Sequence, residues 1–217
     1  MNRVVIFAAG AAILLMAFLM ILLLPRSERS STAGDDSDTK RTHLLRLHAP
    51  SLGPADAKVQ IVEFLDPACE ACRAFYPFVK SLMAAHPDKI RLSIRHVGFH
   101  EGADFAVRVL EAARKQGKYW ETLERLLASQ SSWAINHRVQ PELVLARLDG
   151  LGLDLERLKA DLKDPEIARR IAIDRDDAQG LRVTKTPEFF VNGRQMATFG
   201  REQLAKLVAD EIAKMYP

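Results

Sequence analysis

Residues 44–217 predict an α/β sandwich that carries a block of helices between its strands, on three observations. Apolar runs rich in Val, Ile and Phe stand near both ends of the stretch, at "KVQIVEFL" (58–65), "KIRLSIRHV" (89–97) and "EFFVNGRQMATF" (188–199). A long helical pattern, residues 102–179, lies between them. The first of these runs, 58–65, leads straight into a helix that begins at the two cysteines of the chain, Cys69 and Cys72.

The amino terminus is a separate matter. Residues 4–24 are apolar or glycine throughout, twenty-one in a row, and as a helix would be about 31 Å long, close to the thickness of a bilayer core. A cleaved secretory signal has a shorter apolar core and a small-residue cleavage site, whereas this run ends "LLLPRSERS". The expectation is one transmembrane signal anchor preceded by a short tail, residues 1–3. Arg3 faces Arg26 and Arg29 across the span, so the positive-inside comparison is nearly balanced and does not set the orientation. Residues 25–43 are rich in Ser, Thr, Asp and Arg without apolar periodicity. They read as a flexible linker with a reach on the order of 20 to 25 Å.

Beyond the linker, "HLLRLH" (43–48) predicts a short strand and residues 58–65 a stronger one. Phe75, Phe78, Val79 and Leu82 recur at helical spacing, which predicts a helix over 70–85. Pro77 falls inside it, where it either kinks the helix or marks an earlier end. In 89–97 the residues Ile90, Leu92 and Ile94 alternate with Arg91, Ser93 and Arg95, the pattern of a half-buried strand. Four or five short helices fit residues 102–179, with breaks near Gly117, Pro141, Gly150 to Gly152 and Pro165. Asn192-Gly193 between two apolar runs predicts a type I′ hairpin, and an amphipathic helix over 202–215 closes the domain.

With 217 residues, 48% hydrophobic and 27% charged, the chain can bury one core plus an appendage. A net charge of +3 with interleaved signs gives no nucleic-acid footprint. Two cysteines separated by Glu70 and Ala71 close too small a loop for a structural staple. At a helix N-terminus, unpaired N–H groups and the helix dipole favour a thiolate. Cys69 is therefore the expected nucleophile, and Cys72, one turn deeper on the same face, the resolving thiol. Structural zinc needs four ligands, so a metal reading would have to draw two of His43, His48, His86, His96, His100 and His137, with His96 and His100 nearest. No metal site is assigned. Copper delivery stays open as an alternative.

Glu63 lies in the strand before the cysteines, between Val62 and Phe64. It is either an exposed carboxylate on a polar strand face or, behind a dithiol, an acid of raised pKa that exchanges a proton with Cys72. Trp120, Trp133 and Tyr119 either pack between helices or form a partner-binding surface. Thr186-Pro187 precedes the hairpin, and from sequence alone the peptide bond is expected to be trans, as most are.

"VEFLDPACEACRAFYPF" followed by "GLRVTKTPEFFVNG" resembles the DsbA-like class of thioredoxin-fold oxidoreductases over about residues 44–217. The resemblance implies a thioredoxin fold with an inserted all-helical subdomain and a thiol:disulfide oxidoreductase without cofactor. It implies Cys69 as attacking thiol, Cys72 as resolving thiol, Glu63 as buried acid, and Pro187 as a cis-proline beside the disulfide. Thr186 next to it would pair with an extended substrate segment. Such proteins work outside the cytoplasm, which sets the domain on the periplasmic or extracellular side of the inner membrane and residues 1–3 as a cytoplasmic tail. Implied partners are exported proteins with thiols or disulfides and a membrane redox partner that resets the pair. The chain itself is expected as a monomer. Two departures bear on redox tuning: Lys185 stands where a small residue is common, and the dipeptide Glu70-Ala71 differs from the Pro-His of the strongest oxidant of the class. Oxidation or shuffling of substrate disulfides is the primary expectation; a periplasmic reductant and a tethered assembly factor are the alternatives.

Overall fold

In the computed structural model residues 42–217 are described, so the expected membrane segment 4–24 and nearly all of the linker lie outside the described residues. Two strands rich in Val, Ile, Leu and Phe, both almost wholly buried, form the centre of the sheet. β2 (Val59–Leu65) runs parallel to β3 (Ile90–His96), which is flanked by the short antiparallel β1 (Ser51–Leu52). On the other side β6 (Glu188–Val191) pairs antiparallel with β2, and β7 (Arg194–Gln195) completes the order β1-β3-β2-β6-β7. The β6–β7 turn is the expected hairpin: Asn192 and Gly193 both take positive φ, 48° and 82°, the conformation that a type I′ turn demands.

The helix α1 (Glu70–Ala85) follows β2 after a four-residue loop and runs through Pro77 without ending. Residues 103–180 hold α2 (Ala103–Arg114), α3 (Tyr119–Ala128), α4 (Pro141–Ala146), α5 (Leu155–Asp161) and α6 (Pro165–Gly180). Pro141 and Pro165 each sit in the first turn of their helix, where no backbone N–H is needed. The helix α7 (Arg201–Met215) ends the chain. The helical pattern concealed one small element: β4 (Ala134–Ile135) and β5 (Arg138–Val139) form a hairpin within the insertion. Its turn residues Asn136 and His137 have positive φ, 50° and 61°. Two-residue strands are too short to show an alternating pattern.

The strand expected at 43–48 does not form; the edge strand is displaced to 51–52. Residues 43–48 instead clamp a buried ion network. Arg95 on β3 is fully buried, donating from Nε to Asp174 (2.8 Å) and from Nη2 to Asp177 (2.5 Å), and from Nη1 to the carbonyl oxygens of His43 (2.6 Å) and Leu44 (3.2 Å). Arg46 forks onto Asp177, and His48 meets Asp174. Two carbonyls of the segment thus go to the Arg95 guanidinium, and those of Arg46 and His48 to Ala49 N and Arg114, rather than to a neighbouring strand. The same network explains why β3 is not half-buried: α6 brings Asp174 and Asp177 over its polar face, and Ser93 and Arg95 are covered.

Both faces of β2 are therefore covered. Val62 and Phe64 pack with Leu44, Val97, Ala178, Leu181, Val183 and Phe190 on one side. Ile61 and Leu65 pack on the other, in the cluster that also contains Cys69, Cys72, Phe75 and Phe189. Tyr119 and Trp133 are core residues, Trp133 donating from Nε1 to the Leu126 carbonyl at 2.8 Å, and Trp120 packs against them. They do not offer a binding surface.

Candidate functional site

The site is assembled at the end of β2. Cys69 is the N-cap of α1, in extended conformation, with its carbonyl accepting from Arg73 N at 3.1 Å. The loop before it is set by Asp66, fully buried, whose Oδ1 accepts from Ala68 N at 2.8 Å. Asp66 Oδ2 accepts from the N–H groups of Phe99 (2.8 Å) and His100 (2.9 Å) and meets His100 Nδ1 at 2.7 Å. A second clamp comes from the insertion, where buried Gln130 donates through Nε2 to the carbonyls of Pro67 (2.8 Å) and Cys69 (3.0 Å). Neither Asp66 nor Gln130 was singled out from sequence. The Asp66-Pro67 pair at a strand end is a turn signal that pointed to the first; nothing local pointed to the second.

Both cysteines are free thiols here. Cys69 keeps 7% of its surface exposed and Cys72 none, so the difference in access is smaller than a helix-tip position suggested. Their acidities diverge strongly. The hydrogen bond from Cys72 lowers the Cys69 pKa most; burial opposes it, and Thr186 and the N–H groups of Cys72 and Ala71 reinforce it, giving about 6. Burial pushes Cys72 well above its ordinary 9.0, helped by the hydrogen bond to Cys69 and the charges of Glu63 and Cys69. As a thiol, Cys69 donates to the Thr186 carbonyl at 3.2 Å, and the Thr186–Pro187 peptide is cis. That bond is what the resemblance implied and what sequence statistics alone did not favour.

Glu63 is buried on the cysteine face of β2, because it shares the strand parity of Ile61 and Leu65. With both faces of the sheet covered, there is no polar side for it to occupy. Burial, then the charge of Cys69, raises its pKa to about 8, and neither carboxyl oxygen has a hydrogen-bond partner. The other residues named from sequence lie around this centre. Glu70 is half exposed and meets His137 at 3.5 Å. Lys185 holds its Nζ 5.8 Å from the Phe199 ring, a ring packed tilted against Phe75 with centroids 4.6 Å apart. His96 is buried with its Nε2 at 2.7 Å from the Tyr119 hydroxyl, directed away from any ligand set with the cysteines.

A thiol with a pKa of about 6 beside one far above 9 predicts selective alkylation. At pH 6 iodoacetamide is expected to label Cys69 on the reduced protein at least tenfold faster than Cys72, since only the thiolate reacts. Peptide mapping by mass spectrometry checks it; equal labelling would contradict the assignment.

Residues 47–210 match the protein family described as thioredoxin. Over 174 residues the chain is 30% identical to "Probable disulfide bond formation protein D" of Bacillus anthracis, covering 76% of this chain and 78% of that protein. It superposes on a thioredoxin-like oxidoreductase of Silicibacter pomeroyi with a TM-score of 0.69 and 32% identity, covering 80% and 98% of the two chains. For the oxidised BdbD of Bacillus subtilis the TM-score is 0.67 and the identity 25%, over 76% and 93%. A stretch of 144 residues is also 33% identical to a Na(+)/H(+) antiporter NhaA of Herminiimonas arsenicoxydans, but it spans only 22% of that relative's length. With its CxxC pair at the head of α1 and the matching fold around it, the chain belongs to the thioredoxin family as a DsbA-like thiol:disulfide oxidoreductase.

Proposed function

We propose that this oxidoreductase oxidises or reshuffles disulfides in exported proteins, from a domain tethered by residues 4–24 to the outer side of the cytoplasmic membrane. The single observation that carries the reading is the placement of the pair, with Cys69 at the N-cap of α1 against the Thr186 carbonyl and Cys72 fully buried one turn deeper, an arrangement that sets their acidities apart. In the oxidised enzyme a substrate thiolate attacks Sγ of Cys69, the Cys69–Cys72 bond breaks, and Cys72 leaves as a thiolate. That thiolate is strongly basic, and Glu63, protonated at neutral pH with a pKa of about 8, supplies its proton. A second substrate thiolate then attacks the substrate sulfur of the mixed disulfide. Cys69 leaves as a stabilised thiolate, the substrate keeps a disulfide, and the enzyme is left as the dithiol. A membrane redox partner would take those two electrons.

Thr186 and Pro187 form the substrate-binding edge in this reading, since the carbonyl of Thr186 already lies against Cys69 and can pair with an extended chain. Glu70, Ala71 and Lys185 tune the pair in this reading: Ala71 through its N–H, Glu70 through its charge in the first turn of α1, and Lys185 through its charge above the Phe199 ring. At pH 7 roughly nine-tenths of Cys69 is thiolate, which stabilises the reduced form and so makes the disulfide oxidising. The equilibrium potential against glutathione is expected between about −270 mV and −120 mV. A value close to about −270 mV, that of a thioredoxin-like reductant, would favour the reductant reading instead.

Cys72→Ser tests the roles. With no resolving thiol, mixed disulfides between Cys69 and substrate proteins are expected to accumulate, visible as reducible adducts on gels. Cys69→Ser should form none. Adducts in the Cys69 variant, or none in either, would overturn the assignment.

A further inference from the structure

Within the described residues, one group of side chains outside the dithiol has the make-up of a metal site. Glu70, His100 and His137 each place a ligating atom within 4.8 Å of the others. They come from three different elements: the first turn of α1, the loop after β3, and the tip of the β4–β5 hairpin. The hairpin is brought there by a bridge between Glu101 and Arg138, with Val139 N donating to the Glu101 carbonyl at 2.9 Å. Its close approach is why residue 102 is glycine: a Cβ there would stand 3.3 Å from Cβ of Val139, at a φ of +77°.

We propose that Glu70, His100 and His137 bind a divalent transition-metal ion of the Zn²⁺ class beside the redox pair. Three features of the geometry argue for a metal rather than a casual surface contact. First, His100 is oriented from behind: its Nδ1 is held at 2.7 Å by the buried carboxylate of Asp66, which also takes the His100 backbone N–H. An imidazole held through Nδ1–H presents an unprotonated Nε2 outward, the carboxylate–histidine arrangement that supports metal ligands. Second, the His100 and His137 rings are stacked with centroids 5.7 Å apart and planes 21° from parallel, so two imidazoles serve one point. Third, His137 sits in the left-handed region with φ 61°, next to Asn136 at 50°. Glycine would hold the second position of such a turn at lower cost, yet this turn carries the histidine that reaches Glu70.

Two nitrogens and one carboxylate suit Zn²⁺, Cu²⁺ or Ni²⁺ and are too few and too soft for Ca²⁺ or Mg²⁺. In a tetrahedral zinc site ligand atoms lie about 3.3 Å apart. The present Glu70–His137 separation of 3.5 Å is already close to that. Side chains of both residues are more than half exposed, 54% and 71%, and can close the remaining gap by rotation. Three protein ligands leave a fourth position for water.

The test uses the full chain with Cys69 and Cys72 locked as a disulfide, so that no thiolate can chelate. Zn²⁺ is titrated in competition with a chromogenic chelator, and Co²⁺ is added separately to read its visible spectrum. One Zn²⁺ per chain is expected, with Co²⁺ showing d–d bands and no thiolate charge transfer. His137→Ala and Glu70→Gln, both at exposed side chains, are each expected to weaken Zn²⁺ binding at least tenfold, the lower bound for losing even an outer-shell partner. His86→Ala, at the far end of α1, should leave it unchanged. Absent binding, binding unaffected by either ligand variant, or equal loss in His86→Ala would each overturn the proposal.

Discussion

Glu63→Leu is expected to make the protein more stable at neutral pH and much slower in disulfide exchange. The carboxyl group is fully buried without a hydrogen-bond partner, and its pKa is raised from an ordinary 4.5 to about 8. Between those two values the folded state keeps a proton that the unfolded chain has released, so stability falls as pH rises from about 4.5 toward 8. At pH 7 the accumulated cost is about 3 kcal/mol, at roughly 1.4 kcal/mol per pH unit. Leucine at this apolar position carries no such cost. Denaturant unfolding of wild type and variant is therefore expected to show a constant gap at and below pH 4 and a widening one as pH rises toward 8, with the variant the more stable at pH 7. The gap should be smaller in the disulfide form, because the Cys69 thiolate contributes to the shift. Loss of a positioned general acid should slow reduction of the Cys69–Cys72 disulfide by a dithiol peptide by about 10²- to 10⁴-fold. A variant that is less stable at pH 7, or as fast as wild type, would contradict the proton-carrier role.

Arg95→Met is expected to cost about 3 kcal/mol of stability at pH 7. Arg95 reaches Asp174, Asp177 and two carbonyls of residues 43 and 44 from a fully buried position. Removing one partner of a buried ion pair costs about 3 to 5 kcal/mol because the other charge stays behind. The lower end applies here, since Arg46 and His43 remain on Asp177 and His48 on Asp174. Burial would raise the Asp177 pKa, but Arg46, Arg95 and His43 outweigh it and hold it at about 2 against an ordinary 3.8. A depressed carboxylate contributes stability that is present above 3.8 and lost as pH falls through about 2. The gap between wild type and variant should accordingly narrow below pH 4. Lysine at this position should restore only part of the loss, because it lacks the planar fork that reaches both aspartates. Thermal unfolding of the two variants from pH 2 to pH 7 checks both statements.

Elements with a local cause were legible in the chain itself. The helix over Glu70–Ala85 follows from the spacing of its apolar residues, the β6–β7 turn from Asn192-Gly193, and the breaks in the helical block from Pro141 and Pro165, each of which the structure places in the first turn of a new helix. The placement of Cys69 at a helix tip, and with it the expectation of a reactive thiolate, also needed only the neighbouring sequence.

What tertiary structure decided was burial and partnership between distant segments. Residues 43–48 have the composition of a strand, but their fate is set by Arg95 and by two aspartates about 130 residues away in sequence. Whether Glu63 faces water or the dithiol depends on α1, α7 and the insertion covering one face of β2, while β3's polar face is closed by α6. Asp66 becomes a hub only once β3's end delivers residues 99 and 100 to it, and Gln130 clamps the active-site loop from within the helical insertion. Periodicity reports which face of an element is apolar; it cannot report what a fold lays over the other face, because that is fixed by contacts whose partners are far apart in the chain.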